Sequence, residues 1–115
     1  MATVEECRTA LDRFSANLAR AQGDMKAATA LDRSLSCRIS DLDVTFVGRL
    51  AGGGIRDVVT VDGVPAEKAQ IRLTTTGDDL VAMVAGELSF AKAWAAGRVK
   101  VQASLRDVLR LRSLL

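Results

Sequence analysis

The chain has no histidine and no tyrosine, and its only aromatic residues are three Phe and one Trp among 115 residues. Without imidazole there is no Ser–His or Cys–His nucleophile pair, no imidazole general base and no histidine metal ligand. With so few rings, Val, Leu, Ile and Ala must fill most of the interior. The two cysteines, Cys7 and Cys37, are far from any metal-type spacing. Each sits at an apolar-face position of a predicted element, so they read as buried free thiols, and a disulfide between them has no positive support. Neither a cofactor nor a metal is expected. No apolar run approaches the ~18 residues needed to span a bilayer. The start, MATVEECR, is polar and suited to capping a helix rather than to export. A cytoplasmic protein is expected.

What is present describes a folded chain. Apolar residues make up 49% and charged residues 26%, an ordinary balance for a globular protein, and the length suits one domain over 1–115 with a real core. The net charge of +2 is too small to argue for nucleic acid, and none is expected as a partner. Its distribution is uneven. Residues 98–115 carry Arg98, Lys100, Arg106, Arg110 and Arg112 against Asp107, a local sum of +4, while the rest of the chain sums to −2. This end reads either as a solvated basic terminus or as a transient contact with an anionic membrane surface. The ratio of 12 Arg to 4 Lys suggests a GC-rich bacterial source.

Thr3 and Glu6 form a capping-box pair, and Val4, Cys7, Leu11, Phe14 and Leu18 recur at spacings of three and four, which predicts a helix over 4–20. A further turn of helix is expected within 25–32. From Arg33 the period falls to two. Leu35, Cys37 and Ile39 alternate with serines and Arg38 in a half-buried strand, and Asp41–Asp43 make a turn. Val44, Phe46, Gly48 and Leu50 are the inward set of a second strand. Gly48 on the inward side signals a bulge or a close backbone approach. The triplet Gly52–Gly54 precedes a strand, not a helix, and no GK[ST] follows, so it is a hairpin turn rather than a phosphate loop. In the third strand, Val59 and Val61 are expected to face in. A longer connection through Asp62-Gly63 and Val64-Pro65 leads to a fourth strand with Ala69, Ile71 and Leu73 inward. Four strands with short turns indicate an antiparallel sheet.

A helix capped by Thr76 or Asp78 follows, with Leu80, Val81, Val84 and Leu88 on its buried side. Gly86 stops it. Ser89 caps a short helix bearing Phe90 and Trp94 on one face, and Gly97 ends that one. Val99, Val101 and Ala103 face inward from a fifth strand. Ser104 caps a closing helix with Leu105, Val108 and Leu109 as its apolar stripe, and Leu111, Leu114 and Leu115 extend an apolar tail. Every carboxylate falls at a cap, in a turn or on a polar face. Asp41 and Asp43 read as loop-shaping residues, and an enzyme would have only carboxylates, hydroxyls and Cys37 to work with. The fold class is α+β, a five-stranded mainly antiparallel sheet with helices covering one face.

Residues 74–115 resemble the C-terminal half of the sterol carrier protein 2 domain. The likeness is carried by Gly86, Glu87, Leu88, Lys92, Ala93, Trp94, Gly97, Arg98, Val99, Lys100 and Val101. Trp94 stands where that family usually has Phe, and Ala103 where it commonly has Gly. The resemblance implies a non-catalytic binder or carrier of a lipid-like molecule, such as a fatty acid, acyl-CoA, sterol, isoprenoid or polyketide. Its ligand would occupy a hydrophobic tunnel between sheet and helices. The lining it implies is Phe46, Leu73, Val84, Leu88, Phe90, Trp94, Val101, Leu105 and Leu109. The alternative is a protein–protein interaction module or a homodimer using the same apolar groove, and monomer and homodimer both stay open.

Overall fold

The computed structural model describes residues 2–20, 32–51 and 54–113, with side chains for all of these except 17–20 and 110–113. The expected turn of helix within 25–32 falls outside the described residues except for Asp32, which belongs to no helix. The chain runs α1 (Val4–Arg20), β1 (Arg33–Ile39), β2 (Val44–Ala51), β3 (Gly54–Asp62), β4 (Ile71–Thr75), α2 (Gly77–Val84), α3 (Phe90–Ala95), β5 (Lys100–Gln102) and α4 (Leu105–Ser113).

Local chemistry starts each helix. At α1 the capping box closes in both directions: the Glu6 amide donates to Thr3 Oγ1 and the Thr3 amide to Glu6 Oε1, each at 3.1 Å. Thr76 Oγ1 accepts from the Asp79 amide at the head of α2, and Ser104 Oγ from the Asp107 amide at the head of α4. The carboxylate of Asp41 also serves α2, accepting from the Gly77 amide at 2.9 Å, so this turn residue caps a distant helix instead of shaping its own loop. Cys7, Ala10 and Leu11 of α1 pack with Leu80 of α2 against Cys37, Ile39, Val44 and Phe46 of the sheet, and this is the main core. A second cluster joins Leu35, Leu50 and Ile71. Leu73 touches both.

The five strands lie in the order β3-β2-β1-β4-β5. Three pairings are antiparallel, as expected of a mainly antiparallel sheet, but β1 and β4 run parallel, so the first four strands do not form the unbroken antiparallel run that their short turns indicated. The cause is the connection 63–70, which is a crossover and not a hairpin. β3 ends level with the end of β1, whereas β4 begins beside Leu35, so the chain must travel back along the strands and across β2 and β1. Hydrogen bonds pin both ends of this strap. Thr45 Oγ1 donates to the Gly63 carbonyl at 2.6 Å, and the Gln70 amide donates to Ser34 Oγ at 2.8 Å. Thr45 and Ser34 alternate with inward Phe46 and Leu35, so the strap crosses the face opposite the helices. Thr45 and Ser36, expected on a wet face, are buried there.

The third strand departs from simple alternation. Val47 pairs with Val59 and Arg49 with Arg56, which sets Gly48 alone against Asp57 and Val58. This is a β-bulge, with Asp57 in the left-handed region at φ 57°. A Cβ on Gly48 would lie 2.9 Å from the Arg56 carbonyl oxygen, so only glycine lets β3 approach this closely. The extra residue shifts the inward set to Ile55 and Val58. Val59, expected inside, is 57% exposed, and Val61 shares the outer face with its partner Thr45.

Candidate functional site

The sterol-carrier resemblance points to the space between the sheet's inner face and the stretch from α2 to α4. Two glycines shape its wall. Gly86 and Gly97 adopt φ 82° and 77°, where a side chain would be strained, and each lets a helix end sharply. At the second stop the amides of Arg98 and Val99 both reach back to the Ala93 carbonyl, at 2.8 and 3.3 Å. Ala93 and Val99 are buried and anchor α3, leaving Phe90 and Trp94 half-exposed on its flank. Their rings meet edge to face with centroids 5.9 Å apart.

The candidate lining residues do not form one group. Phe46 is wholly inside the main core, with Leu73 and Val84 packed against that cluster. Leu73 and Val101 are direct cross-strand neighbours on β4 and β5, both half-buried, and Leu88 is half-buried as well. Leu105 and Leu109 stand apart, 76% and 57% exposed. α4 turns a different face to the body. Its Asp107 is buried and accepts from Arg33 Nε at 3.1 Å. The expectation that every carboxylate lies at a cap, a turn or a polar face fails here, since Asp107 sits in the first turn of α4 but is buried in an ion pair. A signal was present: Arg33 has the same strand parity as inward Leu35, Cys37 and Ile39, and a cation on an apolar face needs a partner.

A cleft of about 370 Å³ lies between α1 and α2, walled by Thr3, Glu6, Thr9, Arg13, Val81 and Val84 among others. Val84 is the one candidate residue on it. Its ionisable walls do not suit an alkyl chain, and it is not the apolar tunnel implied by the resemblance.

Of the basic end, Arg98 is engaged in a two-point pair with Asp79, Nη2–Oδ1 2.6 Å and Nε–Oδ2 3.3 Å, which ties the α3–β5 link to the head of α2. Lys100 and Arg106 are exposed; the side chains of Arg110 and Arg112 lie outside the described residues. Among the described residues no cluster of His, Cys, Asp or Glu could hold a metal ion, and no helix is long and apolar enough to cross a membrane.

Both cysteines are free and buried. Burial pushes the Cys37 thiol from its ordinary 9.0 up to about 12, and Cys7 is raised too, by burial first and then by Asp41, Glu6 and Asp78. At neutral pH the Cys37 thiolate is therefore about a thousandfold scarcer than in the unfolded chain. Neither thiol should react with a disulfide reagent at pH 8 until urea unfolds the protein, when both should titrate; rapid native reaction would contradict the burial. Because the native state holds the Cys37 proton more tightly, its contribution to stability is complete below pH 9.0 and is lost as pH rises towards 12.

The layout defines an α+β class, a mixed sheet with helices on one face and a crossover on the other. No protein-family model and no curated protein matches the chain. Solved structures do. Sterol carrier protein 2 matches with TM-score 0.64 and 18% identity, over 88% of this chain and 82% of that one. Palmitated SCP2L2 from Aedes aegypti matches with TM-score 0.60 and 16% identity, over 98% and 94%. The sec-alkylsulfatase Pisa1 from Pseudomonas sp. matches at 0.55 and 23%, over 80% of this chain, which spans only 14% of that enzyme's length. The chain has the fold of the sterol carrier protein 2 domain.

Proposed function

We propose that this protein is a non-catalytic binder and carrier of a lipid-like apolar ligand such as a fatty acid, acyl-CoA, sterol, isoprenoid or polyketide. The observation that supports the reading is that Leu73, Leu88, Phe90, Trp94 and Val101 are apolar and only half-buried, in a fold whose solved examples include a palmitated protein. These side chains are covered enough to shed water from an alkyl chain, yet not sealed into the core as Phe46 is. Each methylene removed from water contributes ~0.8 kcal/mol, so a long chain binds through burial alone, without directed polar contacts. We place the ligand against the Phe90–Trp94 flank, with Val84 and Leu73 at its deep end.

The test uses the full chain. Native mass spectrometry of freshly purified protein should show an apolar adduct, and added palmitate should change Trp94 fluorescence saturably. Trp94 is the only tryptophan, so the signal is unambiguous. No adduct and no fluorescence change across a broad lipid panel would overturn the reading.

A further inference from the structure

We infer that two copies of this chain associate, the Leu105–Leu109 row of α4 in one seating in the cleft between α1 and α2 of the other; this goes beyond the carrier reading and does not rest on it. The helix offers the insert. Leu105 and Leu109 are four apart, so they share one face, and both stand largely in solvent. Arg106 is exposed beside them, and residues 98–115 sum to +4. The one acid of that stretch, Asp107, is already paired with Arg33. The helix thus presents an apolar row in a cationic setting.

The cleft is the matching receptor. Ala10 of α1 is buried and Val81 and Val84 of α2 half-buried in it, so its floor is apolar, while Glu5 and Glu6 are exposed on its wall. The helix α2 runs out here at Val84 with no basic residue in its last turn, so its electronegative end adds to the two acids. Arg13, two turns beyond Glu6 on α1, is the opposing charge. The volume of about 370 Å³ is more than twice the ~150 Å³ that holds a benzene ring in an apolar cavity, which leaves room for two leucine side chains.

The leucine row lies away from its own chain's cleft. The Arg33–Asp107 pair holds the first turn of α4 at the start of β1. The head of α2 sits at the other end of that strand, where a Cβ on Gly77 would meet Cys7 and Ile39 at 3.0 and 3.5 Å. Six residues at ~3.3 Å each put the two ends about 20 Å apart. Charge complementarity selects a second copy as the occupant. An apolar row accompanied by cations meets an apolar floor accompanied by carboxylates, and this one chain carries both halves. Seated reciprocally, each α4 in the other copy's cleft, the contact forms twice and closes at a dimer.

Sedimentation equilibrium of the full chain from roughly 1 to 500 μM tests this, and the mass should rise from one chain towards two. The L105A/L109A variant should associate on the order of a hundredfold more weakly. Its melting temperature in dilute solution should match wild type, since both side chains are exposed. Glu5→Lys and Arg106→Glu should each weaken association about tenfold. An equimolar mixture of those two variants should associate as tightly as wild type, because one contact then carries the exchanged pair and the other the original one. Arg13→Gln, which removes the cation from the cleft, should tighten association. A chain that stays monomeric throughout would overturn the proposal, as would full association by L105A/L109A. Loss in the leucine variant without any effect of Glu5→Lys would overturn the cleft as receptor and leave two leucine rows in contact. A monomer whose palmitate-induced Trp94 signal disappears in L105A/L109A would also overturn it, and would assign the row to the lipid site. Self-association without an apolar adduct supports the contact and counts against the carrier reading alone.

Discussion

Replacing Phe46 with alanine should destabilise the protein by about 3–5 kcal/mol, a large share of the 5–15 kcal/mol that a domain commands. The ring is 2% exposed, inward on the second strand of the sheet, and belongs to the cluster that joins Cys7 and Leu11 of α1 to Leu80 of α2. Its cross-strand neighbours Cys37 and Thr60 are small, so nothing beside it can swing in to fill the vacated space. The cost should therefore combine lost burial with a persistent cavity. Urea unfolding should show a midpoint lowered by roughly 1.5–3 M with an unchanged slope. Val59→Ala makes the matching contrast. Simple alternation puts Val59 in the same core, but the bulge at Gly48 turns it outward, so its truncation should stay within about 0.5 kcal/mol of wild type. Equal losses at the two positions would mean that the bulge is absent and that the inner face follows strict parity.

Arg33→Met should cost about 2–3 kcal/mol. Asp107 is 3% exposed and Arg33 is its ion-pair partner, with side-chain exposures of 5% for the acid and 30% for the base. Removing the cation leaves a buried carboxylate uncompensated, which in a fully buried pair costs 3–5 kcal/mol; partial exposure of Arg33 lowers the figure. Asp107 already has one carboxylate oxygen, Oδ1, buried without a hydrogen-bond partner, so no reserve contact takes over. The double variant R33M/D107L should recover to within about 1 kcal/mol of wild type, because it removes the stranded charge along with its partner. A double-mutant cycle by urea unfolding measures the coupling. Hydrogen exchange in α4 should accelerate in Arg33→Met and return towards wild type in the double variant. A negligible coupling would show that α4 is held by Val108 and backbone contacts alone.

The likeness to the sterol carrier protein 2 fold was legible in the C-terminal third because its signals are short-range. Gly86 and Gly97 at positive φ, Ser89 at a helix start and the Phe90–Trp94 spacing all act within a few residues. The capping box at Thr3 and Glu6 is equally local, and so is the parity of Leu35, Cys37 and Ile39. Gly48 is the intermediate case: an inward glycine announces a bulge, yet which way the partner strand shifts depends on Asp57 taking the left-handed conformation across the pair.

The amino-acid order alone thus settles the sequence of helices and strands, the burial of Cys7 and Cys37 and of the Leu35–Ile39 face, and that no imidazole chemistry is available. Three other features were decided only by the assembled fold: the parallel β1–β4 pairing, the strap over the far face, and the burial of Asp107 against Arg33. Each joins residues 18 to 74 positions apart. Periodicity reports which side of its own element a residue occupies, but not which element lies beyond. Leu105 and Leu109 form an apolar stripe by spacing and are nonetheless exposed, while the neighbouring face of α4 carries the buried Asp107 paired with Arg33. The parity of Arg33 signals that this cation needs a partner, but not that the partner is Asp107, 74 residues away.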